Sequence, residues 1–401
     1  MILSFYLSSL SIIISTLGFG LLIKKFLNLS SFENNFGFSG ILGLFTLSIL
    51  SSYSHLITAH NYFHNLFLIF VGIIFFILLS RKNKNLVNLV IIFTICFIAI
   101  ILSKNNEDFG YYHLPNSIQF AQQKIQFGLG NLNHGFKHIS SLFMLMSLNY
   151  LPKFEYYLFN LTNLMFYVFF IQFLFNEITK NKKMNNFTKI IMSLFLVLFL
   201  TKFSRLAEFG SDISGQIIII IFLYLILELI YNRQLNYKDQ VDYLNLAGLL
   251  IVFSISLKFI SIIYLPFIFV AAYFLLKKKP KISFLKYLNL KYLFLGSLSI
   301  IIFIFLNFTS TGCLIYPVEN LCFSEKVSWA LDKKTIEYLN FHYELWSKGG
   351  LGPNIKVENP EEYISLFNWT PHWTKVYFFN KFIDYIFVSF LIVVIFYLFY
   401  F

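Results

Sequence analysis

The sequence predicts an all-α fold, a polytopic membrane bundle of about 11 spans, and three observations predict it. Apolar runs of about 17–25 residues, each long enough to cross ~30 Å of hydrocarbon, recur along all 401 residues. The chain is 58% hydrophobic, 20% aromatic and only 12% charged, which leaves too few polar groups to cover a soluble domain of this size. Its cations gather in short loops between the apolar runs, as cytoplasmic loops do in membrane proteins.

In chain order, residues 1–103 hold N-terminal spans at 2–23, 38–55, 62–80 and 85–103. The first run lacks a basic leader and a small-residue cleavage site, so it reads as a retained span. Residues 104–155 form a first large extracytoplasmic loop with juxtamembrane helices. Residues 156–308 form a central bundle with spans at 156–176, 190–203, 213–231, 243–257, 259–276 and 292–308. A second extracytoplasmic loop, 309–381, is rich in Gly, Pro, Trp and acids, and is large enough for a loop subdomain or lid. A last span occupies 382–401.

Orientation follows from five basic loops, at Lys24-Lys25, Arg81–Lys84, Lys180–Lys183, Arg233 with Lys238, and Lys277–Lys281, all expected on the cytoplasmic side. One apolar segment, 138–151, tests the scheme. Counted as a span it would invert every later loop; at about 14 residues it is short, which favours an interfacial or re-entrant helix. Both long loops then share the outer face. Residues 115–127 read as a helix along the membrane surface, with Gln119, Gln122, Gln123 and Gln126 wet and Ile118, Phe120, Ile125 and Phe127 in apolar contact. Gly128 and Gly130 read as the end of that helix, since no strand precedes them to support a nucleotide fingerprint.

The formal net charge of +12 comes without a basic stripe interleaved with aromatics, so nucleic acid is excluded as a partner. The heavy use of Phe, Ile, Asn and Lys is a chain-wide bias, and it dilutes the meaning of any single Phe or Asn. Of three cysteines, Cys96 falls within a span and reads as packing. Cys313 and Cys322 share the second loop and are a disulfide candidate if that loop faces an oxidising compartment.

Candidate chemistry centres on Glu107 and Asp108, adjacent carboxylates where an apolar run leaves the bilayer. A carboxylate there can act as a general base or hold a divalent cation against a phosphate; it can also simply be a solvated loop end. His113 follows five residues later, as a second titrating group, a phosphate contact or an ordinary loop histidine. His134, Lys137 and His138 gather beside the 138–151 segment, suited to a lipid-linked phosphate or to plain headgroup anchoring. Glu208 and Asp212 lie at an outer junction of two spans, where an acid should face a protein-lined cavity. Lys258 occupies an outer turn where cations are disfavoured, so it calls for a phosphate or carboxylate partner, with snorkelling as the alternative. No HExxH, paired CxxC, GxSxG, DxD or Walker motif occurs, which removes metalloprotease, hydrolase and ATPase readings.

The stretch Asp108-Phe109-Gly110-Tyr111-Tyr112-His113-Leu114-Pro115, followed by Gly130-Asn131-Leu132-Asn133, resembles the first outer loop of GT-C superfamily glycosyltransferases. The likeness is nearest to a bacterial branch with loops of the form D-x-x-x-Y-H-L…G-L-G-N-L. Gly210–Ile213, Leu257-Lys258-Phe259, Thr311–Pro317 with Tyr316 and Trp329, and Asn368–Trp373 fit in the same order. The resemblance implies a GT-C-like fold and a polyprenyl-phosphate-linked sugar as donor, transferred with inversion to a glycan, lipid or protein acceptor of the cell envelope. It places the essential acid at Asp108 with Glu107 beside it. With these, His113, Lys137, His138, Asp212, Lys258 and Tyr316 are the candidate substrate contacts. The one cofactor it suggests is a divalent cation, as an option at Asp108. Three extra spans before the first outer loop depart from the family pattern and leave the acceptor open. A glycolipid translocase or polysaccharide-assembly component is the alternative.

Overall fold

The computed structural model describes residues 2–29, 31–32, 34–80, 84–102, 108–201, 203, 210–278, 283–352, 355–383, 387–388, 390 and 394. Helices make up most of the described residues. Among those residues, eight helical segments are long and apolar enough to cross a membrane, and two shorter apolar helices run beside them. The chain is an integral membrane protein. The expected span at 382–401 falls mostly outside the described residues, as do Glu107 and Glu208.

The N-terminal spans are α1 (Ile2–Leu27), α2 (Phe36–His55), α3 (Tyr62–Leu79) and α4 (Lys84–Ile101). Two short helices follow in the first long loop, α5 (Leu114–Gln122) and α6 (Ser141–Ser147). The central bundle contains α7 (Leu161–Lys180), α8 (Asn186–Thr201), α9 (Ser211–Tyr231), α10 (Tyr237–Leu257), α11 (Pro266–Lys278) and α12 (Leu290–Thr311). The second loop folds into α13 (Lys333–Ser347), a two-stranded hairpin of β1 (Leu351–Gly352) and β2 (Ile355–Lys356), α14 (Pro360–Ile364) and α15 (Thr370–Trp373).

Many helices begin at asparagine. Asn35, Asn61, Asn236 and Asn289 each accept a backbone N–H of the first turn of α2, α3, α10 and α12. This satisfies one of the orphan donors at a helix start. Several asparagines that compositional bias hid are therefore caps. Burial orders the layers: the span containing α7 and that of α2 are each 83% buried, whereas α3 is 11% buried and faces outward. Close contacts of small residues hold α1 to its neighbours. A Cβ on Gly43 would sit 1.9 Å from the Thr16 carbonyl oxygen, and one on Gly18 would sit 1.8 Å from that of Gly72. Such approach maximises packing where no hydrophobic force separates protein from lipid.

The two ends of the bundle are unlike. At the basic end, Lys24 donates to the Phe32 carbonyl at 2.6 Å, Lys291 to that of Phe26 at 2.6 Å, and Lys278 to that of Leu229 at 3.0 Å. At the other end, the long loops meet the helix ends. Gly128 N–H donates to the Thr309 carbonyl at 2.8 Å, and the Ser140 hydroxyl to that of Leu257 at 2.7 Å. All eight histidines of the chain lie toward this loop end.

Two local expectations change and one alternative is chosen. Within 138–151 the helix is the seven-residue α6, and each of those seven residues is buried in the core, which fits the re-entrant alternative. The surface helix stops at Gln122 instead of 127. Gly128 is not its cap. With φ +74° it opens the next turn and docks on Trp329, whose Cβ lies 2.9 Å from where a Cβ on Gly128 would be. Two acids lie away from the loop end: Glu177, on α7, and Glu228, on α9, are buried toward the basic end. Glu177 accepts from Asn35 at 2.9 Å, Asn181 at 2.8 Å and Tyr224 at 2.9 Å. Glu228 accepts from Asn185 N–H at 3.1 Å and Asn232 at 2.6 Å.

Candidate functional site

The site begins with the way α10 ends. Lys258 takes an extended conformation, its N–H bonded to the Ser254 carbonyl at 2.8 Å, and the chain turns into a 3-10 segment, Phe259–Tyr264, before α11. The Ser254 hydroxyl ties this corner together, donating to the Gly215 carbonyl at 3.1 Å and lying 2.8 Å from the Ser261 hydroxyl. Beside it α9 starts at Ser211, and Asp212 in its first turn pairs with Lys258 Nζ at 2.6 Å. The carboxylate partner that Lys258 called for is Asp212.

The first loop packs against this corner. Phe109–His113 form one π-helical turn leading into α5, and Asp108 precedes it, exposed. His113 is buried between Tyr112 and Phe143, and neither ring nitrogen is hydrogen-bonded among the described residues. Its ring also lies on Gly210, where a Cβ would fall 2.5 Å from Cε1, so only glycine fits before α9. Burial pushes the His113 imidazole down to about 4, with Asp212 pulling it up and Lys258 pushing it further down. Tyr112 is moved upward by burial and by the carboxylates of Asp108 and Asp212. Asp108, Tyr112, His113, Asp212 and Lys258 therefore form one electrostatic neighbourhood.

A cavity of about 180 Å³ opens there, lined by Tyr112, Lys137, His138, Ser211, Lys258 and Tyr316, among others. Lys137 is buried, on a 3-10 turn, His134–Lys137, capped by Asn133. Burial holds its ammonium below the ordinary lysine range, opposed by Asp332. His138 is pushed to about 4 by burial and then by His134, Lys258 and Lys137. Across the cavity, the Tyr343 hydroxyl of α13 lies 3.1 Å from His134 Nε2, 3.3 Å from His138 Nε2 and 3.2 Å from the Tyr316 hydroxyl.

Of the residues singled out in the sequence, Lys137, His138, Lys258 and Tyr316 line the cavity. Asp212 reaches it through Lys258, and Asp108 and His113 sit against its wall through Tyr112. Cys313 and Cys322 form a disulfide, beside a small second core of Tyr316, Leu331, Ile336 and Leu339. Among the described residues no three His, Cys, Asp or Glu side chains are grouped to hold a metal. Tyr343 escaped sequence reasoning, because a tyrosine in an aromatic-rich chain carries no local signal, whereas Tyr112 and Ser211 stood within quoted motifs and were given no role. The trio of His55, His60 and His64 escaped it too, although three histidines within ten residues between two spans were legible. His60 bonds Ser147 at 2.6 Å and the Ser51 carbonyl at 2.9 Å, which anchors α6.

These features define a polytopic helical membrane protein with a polar cavity at the end where its long loops fold. The chain belongs to the family described as Domain of unknown function (DUF8201), whose profile matches residues 1–401. No curated protein and no solved structure matches it.

Proposed function

We propose that the protein is a GT-C-type membrane glycosyltransferase, moving a sugar from a polyprenyl-phosphate donor to a cell-envelope acceptor at the loop end. The single observation that carries this reading is the gathering of Lys137, Lys258 and Tyr112, with Asp108 and Asp212 next to them, at one cavity on a span-end corner. At about 180 Å³ the cavity is smaller than the ~300–1,000 Å³ of ordinary ligand pockets, which suits a headgroup whose lipid tail stays outside. The neighbouring 3-10 segment offers such a tail the exposed Ile260 and Ile263.

In this mechanism Lys137 and Lys258 bind the phosphate, with Asp212 orienting Lys258. Asp108 takes the proton of the acceptor hydroxyl as it attacks the anomeric carbon and the phosphate leaves. Tyr112, its phenol kept protonated, donates a hydrogen bond in the same neighbourhood. The basic loops are cytoplasmic, so the cavity faces the periplasm of a bacterial inner membrane. A disulfide at Cys313–Cys322 fits an oxidising compartment.

The second reading, a glycolipid translocase, draws on Glu177 and Glu228, buried acids within the helices. Both accept hydrogen bonds from fixed neighbours, as structural groups do, which favours the enzyme. The test is transfer from a labelled polyprenyl-phosphate sugar in membranes bearing the protein or its Asp108→Asn variant. Transfer by the first alone supports the enzyme; equal transfer by both overturns the mechanism.

A further inference from the structure

The geometry points to a divalent transition-metal site of the zinc class, held by His134 Nε2, His138 Nε2 and the Tyr343 phenol oxygen, an assignment independent of the proposed transferase activity. The three atoms form a nearly equilateral triangle, with His134–His138 at 3.3 Å, His134–Tyr343 at 3.1 Å and His138–Tyr343 at 3.3 Å. Tetrahedral zinc with bonds of ~2.0 Å separates its ligand atoms by about 3.3 Å, so one ion bonds all three donors with little movement.

The surroundings favour the same use. His134 and His138 are spaced H-x3-H across one 3-10 turn and present the same ring nitrogen to each other. Neutral imidazole is the form that binds metal, and an ordinary imidazole is mostly neutral at pH 7. Two facing Nε2 lone pairs repel unless a proton or a cation lies between them. Tyr343 has one hydroxyl proton for three neighbours, since Tyr316 lies 3.2 Å away as well. On binding, that proton passes to solvent and the phenolate supplies the charge that the two imidazoles lack. Of the two cations nearby, Lys258 is already paired with Asp212. His138, Tyr316 and Tyr343 line the cavity, so a fourth ligand position is open to water or to an oxyanion.

The position was not legible locally. His134 and His138 come from the first long loop and Tyr343 from the second, 205 positions beyond His138. An ion there would clamp the two loops over the cavity.

The full chain, stripped with chelator in detergent, is incubated with Zn²⁺, desalted and assayed for metal by mass spectrometry; a Co²⁺ sample is read by its visible ligand-field spectrum. The expected content is about one equivalent per chain, falling below about 0.2 in His134→Gln/His138→Gln and unchanged in His64→Gln. Tyr343→Phe, which keeps the helix surface, should weaken Zn²⁺ binding at least ~10-fold and alter the Co²⁺ spectrum. Undiminished binding in the double variant or in Tyr343→Phe overturns the site. So does no binding of Zn²⁺ or Co²⁺ by the unsubstituted chain, which leaves the four groups a hydrogen-bonded cluster only.

Discussion

Lys258, where α10 ends, holds Asp212, in the first turn of α9, at 2.6 Å, and this contact fixes one wall of the loop-end cavity. Their side chains remain 40% and 65% exposed, so the pair adds little to stability. An ion pair this accessible contributes roughly 0–1 kcal/mol to folding. Lys258→Met is therefore expected to leave the melting temperature in detergent nearly unchanged. Sugar transfer should fall about 100-fold, the usual cost of removing a preorganised charge donor. A large loss of stability with activity intact would reverse that assignment.

Asp108 and Tyr112 act together in the proposed chemistry. Asp108→Asn should lower transfer by ~10²–10⁴, the range for a general base. Tyr112→Phe should cost less and leave the fold intact. The check is rate against donor concentration for both variants; a fall in donor affinity alone would make Asp108 a binding group.

Burial of His113 makes stability depend on pH. Its folded value, about 4, lies below the ordinary 6.5, so between those values the unfolded chain binds a proton that the folded chain refuses. Stability from this group is present above pH 6.5 and falls as pH drops toward 4, by up to about 3 kcal/mol. His113→Leu, which keeps an apolar contact with Phe143, should flatten part of the decline. Melting temperatures at pH 5 and pH 7.5 measure it; identical slopes for both proteins would refute the account.

The disulfide offers a direct probe of sidedness. Cys313 and Cys322 are nine positions apart, and opening so short a loop costs about 2.6 kcal/mol in the chain-entropy account. Cys322→Ser should destabilise the second loop and free Cys313. After brief mild denaturation of intact spheroplasts, a membrane-impermeant maleimide should label Cys313 from outside; labelling only from inside would invert the bundle.

Gly43 lies where α1 and α2 touch. A methyl group there meets the Thr16 carbonyl oxygen at 1.9 Å, a backbone atom that cannot rotate away. Gly43→Ala is expected to cost at least ~1–3 kcal/mol and to reduce the yield of monodisperse protein. Gly248→Ala, with nothing within 4 Å of the added carbon, is the matched control. Equal behaviour of the two variants would remove the packing argument.

The amino-acid sequence by itself determined the membrane class, ten of the helices and the pairing of basic loops at one end. Hydrocarbon thickness imposes a length on every span and loop charge imposes a side, and both constraints are local. It also determined that Lys258 calls for a phosphate or carboxylate partner and that Cys313 can meet Cys322. Only the tertiary structure decided that α6 is buried, that Asp212 is the acid chosen and that Glu177 and Glu228 are satisfied inside. It alone brought Tyr343 to His134 and His138, because contacts between loops 200 positions apart leave no periodicity in the chain. They depend on where α12 and α13 deliver their ends.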